Sequence, residues 1–320
     1  MPPRTERAYA LARSRRMKHG ARDVLLWSLA IYALAALALN VLMYWWCPDL
    51  SASVHRVKWP QLRQTAAEAS DRPLILTLGS SRMDAAFQAG RLDGVPGPDG
   101  RRLAAYNFSI PGAGPLHEFQ YLRDMLDEGI RPDLLVIEVL PPLFSAPHHH
   151  LISEEEWGVA DWMSLHQFRL MRPYFAGPGR KLGGWIAARL APAFTYRRAL
   201  QALMELPMLP PEDRRPVPYV HDRWGCRCPN HLTPKQRTSC VVMARDYVPS
   251  LNRFRLGDGP RRALRDLLKC CNREHIKVVL VLMPESTEFR GWYRPECLTA
   301  MDQMLAQMRA EWGVPTIDAR

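Results

Sequence analysis

Hydrophobic positions along this chain fall into three patterns. One is a run of 23 uncharged residues, Val24 to Trp46. Another is a set of short, continuous apolar stretches: Leu74–Leu78, Leu103–Ser109, Leu134–Leu140, Ile276–Met283 and Val314–Asp318. Runs of this length without polar alternation read as strands buried on both faces. The third pattern is helical spacing, seen in Leu116, Phe119, Leu122 and Leu126, in Leu264, Leu267 and Leu268, and in a Met/Leu stripe over 297–312. These predict helices over 116–129, 260–275 and 297–312, with Gly129 and Gly313 as C-terminal caps. A shorter helix is expected from Asp84 to Ala89, a loop over 94–100, and a tight turn over 110–115. Strand, helix, strand in this rhythm implies parallel strands joined by crossover helices. The expected fold class is therefore α/β: three-layer α/β/α around a mainly parallel five-stranded sheet.

Residues 143–255 break the rhythm. They read as a largely helical insertion over the active edge of the sheet, helical from about 161 to 206. A proline-rich linker over 207–218 and an irregular, cysteine-bearing stretch over 224–240 follow.

The 23-residue run is long enough to cross a hydrocarbon core of about 30 Å. Before it stand Arg4, Arg7, Arg13, Arg15, Arg16, Lys18 and Arg22 against Glu6 and Asp23. Seven minus two gives that tail +5 of the chain's net +11. Tyr44, Trp45 and Trp46 suit the opposite interface. The pattern predicts a signal anchor over 24–46, a basic cytoplasmic tail over 1–23, a juxtamembrane stalk over 47–72, and an extracytoplasmic domain over 73–320. Basicity concentrated beside a span argues against a nucleic-acid partner, although a cytoplasm-facing nucleic-acid binder is a third, weaker reading. Beyond the anchor lie Cys226, Cys228, Cys240, Cys270, Cys271 and Cys297. An even number in an oxidising compartment suggests disulfides, and six cysteines allow 15 connectivities.

Candidate chemistry centres on Gly79-Ser80-Ser81-Arg82, which closes the first strand. In open α/β sheets ligands bind outside the carboxyl ends of strands, where these hydroxyls sit. The plainer reading of the same residues is a serine helix cap. Arg82 is a candidate to steer an anionic substrate, or to pair with Asp84. Glu285 and Arg290, after the fourth strand, are candidates to bind substrate or to pair with each other. His117 and His148–His150 follow strands on the same edge and are weighed as bases against solvated roles. Cys226-x-Cys228-x-x-His231 with Cys240 lacks the usual zinc spacing, so no metal and no cofactor is expected. Trp157, Trp162, Trp185 and Trp224 suit sugar stacking or core packing.

Together these features resemble the SGNH/GDSL hydrolase superfamily, especially membrane-anchored members with Gly-Ser-Ser in place of Gly-Asp-Ser that handle acyl groups on extracytoplasmic polymers. The resemblance rests on Gly79-Ser80-Ser81, on Asn107-x-x-x-Pro111-Gly112, and on the strand order, over about 73–142 and 260–318. It implies that Ser81 is the nucleophile, and that the N–H groups of Ser81 and Gly112 receive the oxyanion. Two features depart from the family. Glu138-Val139-Leu140-Pro141-Pro142 stands where a third-block Asn is expected, and no Asp-x-x-His occurs in the chain. The expectation is an ester hydrolase or acyltransferase on a cell-envelope glycan. Its base lies beyond Arg320, or the hydroxyl has no conventional base and the chain is inactive. The alternative is a non-catalytic, membrane-tethered binding or assembly protein.

Overall fold

The computed structural model describes residues 4–45, 54–148, 152–157, 163–195, 197, 221–227, 242 and 245–320. Its five strands are β1 (Leu74–Leu78), β2 (Ala104–Asn107), β3 (Leu134–Glu138), β4 (Lys277–Leu282) and β5 (Thr316–Asp318). They form one sheet in the order β2-β1-β3-β4-β5, and every pairing is parallel. This is the doubly wound, flavodoxin-like order. The helices are α1 (Arg4–Trp45), α2 (Val54–Glu68), α3 (Ser81–Ala86), α4 (Pro115–Asp127), α5 (Leu165–Met171), α6 (Pro178–Leu190), α7 (Pro192–Thr195), α8 (Tyr247–Asn252), α9 (Asp258–Arg273), α10 (Thr287–Arg290) and α11 (Pro295–Trp312).

Alternation along the strands divides the core in two. Leu74, Leu76, Leu78, Leu135, Ile137, Leu280 and Leu282 face one layer, where α4, α9 and α11 supply Leu116, Leu122, Leu264, Leu267, Met301 and Met308. Ile75, Ala105 and Val136 face the other, under Met83 of α3, Ala89 and Cys226. That second layer is thin: Val279 and Val281 are half-buried, and Ile317 of β5 is exposed. Gly313 ends α11 at φ +64°, in the left-handed region where a side chain is disfavoured.

Three expectations change. The stretch expected as a stalk contains α2, which packs into the domain: Lys58 and Leu62 are fully buried and Trp59 nearly so. Its run of polar residues hides the few positions that face inward. The short helix begins at Ser81, not Asp84, because Ser80 caps it, its hydroxyl accepting from the Arg82 N–H at 3.2 Å. Cys226, Cys270, Cys271 and Cys297 are buried free thiols, not disulfides. Burial pushes the Cys226 thiol up, and the Cys271 and Cys297 thiols up to about 12. Cys228, His231, Cys240, His149, His150, Trp162 and the proline-rich linker lie outside the described residues.

Within α1, Ala21–Leu42 is 22 residues of mean hydropathy 2.1, none of it buried, long and apolar enough to cross a membrane.

Candidate functional site

In the order 2-1-3-4-5, the chain leaves β1 and β3 in opposite directions, opening a crevice at their carboxyl ends. Gly79 ends β1 there, and Glu138 ends β3 beside it. A Cβ on Gly79 would lie 2.7 Å from the Glu138 Cβ and 2.8 Å from that of Met83, so no larger residue fits. The Ser80 N–H donates to Glu138 Oε2 at 2.7 Å.

Ser81 is the first residue of α3 and is half-buried at the crevice. Its hydroxyl makes no hydrogen bond among the described residues. The loop after β2 reaches the same edge, because the Ile110 N–H donates to the Gly79 carbonyl at 2.8 Å. Gly112 in that loop has φ +80°, which favours glycine. Neither the Ser81 nor the Gly112 N–H has an acceptor among the described residues. The expected nucleophile and oxyanion donors thus share one edge.

The scaffold under Ser81 is polar, and its Asn107, Lys58 and Asp84 are fully buried. Asn107 donates from Nδ2 to the Met83 and Phe87 carbonyls, both at 2.9 Å, and so ties down the end of α3. Its Oδ1 accepts from the Thr77 hydroxyl and the Ser109 N–H. Lys58 of α2 donates to Asp84 Oδ1 at 2.6 Å and to the Asn107 and Ser109 carbonyls at 3.0 and 2.7 Å. Arg227 donates from Nε to Asp84 Oδ2 at 2.8 Å, and His221 Nε2 lies 3.1 Å from Oδ1. Burial pushes the Asp84 carboxyl up, but His221, Lys58 and Arg227 outweigh it and hold Asp84 below the usual carboxylate range. Sequence reasoning missed this cluster because its members are far apart in the chain.

Arg82 does not pair with Asp84, its neighbour two residues on. Its Nη1 donates to Glu285 Oε1 at 2.9 Å, and Nη2 to the Met283 and Pro284 carbonyls at 2.9 and 3.1 Å. Its Nε lies 3.7 Å from Glu138 Oε1, and the guanidinium sits over Phe289, 5.4 Å from the ring centre. The Tyr293 hydroxyl donates to Glu285 Oε1 at 2.6 Å. Arg290, weighed as the partner of Glu285, is exposed and does not reach it. Arg82 and Glu285 therefore join the ends of β1 and β4 and are occupied with each other.

Carboxylates crowd this edge. Glu154 is fully buried and accepts from the Gly114, Leu116 and His117 N–H groups, each at 2.9 Å, so it caps α4. It also lies 2.6 Å from His117 Nδ1, a His–carboxylate pair that sequence reasoning could not connect across 37 residues. Burial, then Glu154 and Glu138, push Glu118 well above the ordinary range. Burial also raises Glu138, against the pull of Arg82 and Ser80. His148 is exposed on the loop after β3. Trp224 packs on Gly90, and Trp185 packs near Phe168. Among the described residues no group of three or more His, Cys, Asp or Glu is placed to hold a metal ion.

The fold and the crevice define an α/β protein with a serine at a topological switch point. Residues 37–155, which contain the end of α1, β1 to β3 and Ser81, match a family described as "Protein of unknown function (DUF1574)". No curated protein and no solved structure matches the chain.

Proposed function

We propose that this chain is a membrane-anchored serine hydrolase or acyltransferase of SGNH type. Its N-terminus is cytoplasmic and its domain extracytoplasmic, and it acts on an ester such as the O-acyl groups of a cell-envelope glycan. The observation that carries this reading is the position of Ser81: half-buried, without a hydrogen bond from its hydroxyl among the described residues, at the carboxyl end of β1, on one edge with Gly112. The Ser81 hydroxyl attacks the ester carbonyl, and the Ser81 and Gly112 N–H groups receive the oxyanion. Collapse releases the alcohol and leaves an acyl-serine, which water or a second hydroxyl then takes up.

We assign the base to His117. Glu154 holds its Nδ1, which leaves Nε2 to take the serine proton. The test is hydrolysis of 4-nitrophenyl acetate by the full chain in nanodiscs. Ser81→Ala is expected to abolish turnover, and His117→Ala to lower it about 10²–10⁴-fold. Turnover unchanged in Ser81→Ala rejects the reading.

The second reading is a non-catalytic, tethered binding or assembly protein. It is favoured by Arg82 and Glu285 being occupied with each other. It predicts no turnover by the unmodified chain.

A further inference from the structure

Asn40 is the strongly polar side chain of the apolar run, and Tyr32 lies eight residues before it. Both reach the insertion, and Asn40 Nδ2 also donates to the Ala36 carbonyl of its own helix at 2.9 Å. The Tyr32 hydroxyl donates to the Leu190 carbonyl at 2.7 Å, and Asn40 Nδ2 to the Arg189 carbonyl at 3.1 Å. These are carbonyls at the end of α6, which the helix itself leaves unbonded. The Thr195 hydroxyl covers the Ala188 carbonyl at 2.9 Å. The end of α6 thus has its exposed backbone acceptors filled, as a helix end must in a medium without water.

The sides of α6 differ sharply. One docks on the domain: Trp185 Nε1 donates to the Met163 carbonyl at 2.9 Å, Lys181 donates to the Glu155 carbonyl, and Ala188 is buried. The opposite side is a stripe at four-residue spacing, continued into α7. Leu182 is 40% exposed, Ile186 43%, Leu190 62% and Phe194 67%. Arg197 packs over the Phe194 ring at 3.9 Å, its charge at the edge of the stripe. Tyr32 and Asn40 are about 12 Å apart along α1. An arm bonded to both lies beside the middle and the C-terminal part of the apolar run, within the depth of the hydrocarbon core.

We infer that α6–α7 is a membrane-immersed arm, whose Leu182-Ile186-Leu190-Phe194 stripe faces the acyl chains that surround the Tyr32–Asn40 stretch of α1. The inference rests on α1 being a membrane span and is independent of any catalysis. The occupant is lipid because the stripe continues the bare surface of α1, which lipid must already cover.

The experiment is photolabelling of the full chain in phosphatidylcholine nanodiscs with an apolar aryl diazirine, followed by peptide mapping. Label is expected in both 21–45 and 178–195. The variant Leu182→Asn/Ile186→Asn/Leu190→Asn is expected to lose label several-fold in the arm and keep it in the span. Tyr32→Phe, which leaves the stripe intact, is expected to lower arm labelling alone. Label in the span without label in the arm overturns the inference and leaves the anchor standing; this includes an arm covered by a second copy of the chain. No label in either segment overturns the anchor itself, and the inference with it.

Discussion

Arg82 Nη1 and Glu285 Oε1 lie 2.9 Å apart across the carboxyl edge of the sheet, 203 residues apart in the chain. The pair fixes the residue after Ser81 against the end of β4. Glu285 is almost fully shielded and Arg82 is a quarter exposed, so the pair works in a partly dry setting. Glu285→Gln keeps an acceptor for Arg82 and Tyr293 but loses the charge. It is expected to cost about 1–2 kcal/mol, read as a lower thermal midpoint of the full chain. A midpoint equal to that of the unchanged protein contradicts this bracing role.

The Lys58–Asp84 cluster predicts a larger loss. Asp84→Asn leaves Lys58 and Arg227 without their counter-charge in the interior, a change that typically costs about 3–5 kcal/mol. Lys58→Met removes a buried cation while Arg227 and His221 still serve Asp84, and is expected to be milder. The two midpoints, compared under one set of conditions, check the order. With its folded pKa depressed, Asp84 contributes stability that is complete above the ordinary carboxylate range. That stability is lost as pH falls through the depressed value.

Glu118 has the opposite sign. Its folded pKa is raised, so its contribution is full below the ordinary glutamate value and declines as pH rises towards the raised one. Glu118→Gln is expected to flatten the fall of the thermal midpoint from acid to neutral pH. An unchanged slope in the variant would remove Glu118 as its source.

The thiols give a chemical check. Without reductant, iodoacetamide is expected to spare Cys271 and Cys297 in the folded chain, since burial keeps them protonated. After denaturation without reductant it is expected to modify Cys226, Cys270, Cys271 and Cys297. Failure to modify them then would mean disulfides, as the even cysteine count suggests.

The sheet was legible because its strands are short, continuous and bounded by Gly or Pro, and buried parallel strands leave that trace. Leu74–Leu78 is found with the bounds its apolar run predicts. The place of Ser81 was legible for the same reason, since the end of a strand fixes where the next few residues lie. Long-range pairing is the part that sequence hides. Lys58 reads as one charge in a polar stretch, and nothing local tells that Asp84 waits 26 residues on. Arg82 and Glu285 each looked ready for a ligand, because a side chain's partner is invisible until the strands are ordered. His117 gained meaning only when Glu154 was seen to fold back on it.

Reaction of the full chain with a fluorophosphonate, mapped by peptide mass, tests the central claim most directly. The account predicts one adduct, on Ser81, absent in Ser81→Ala. An adduct on Ser80, or none on a chain that retains its fold, would contradict it.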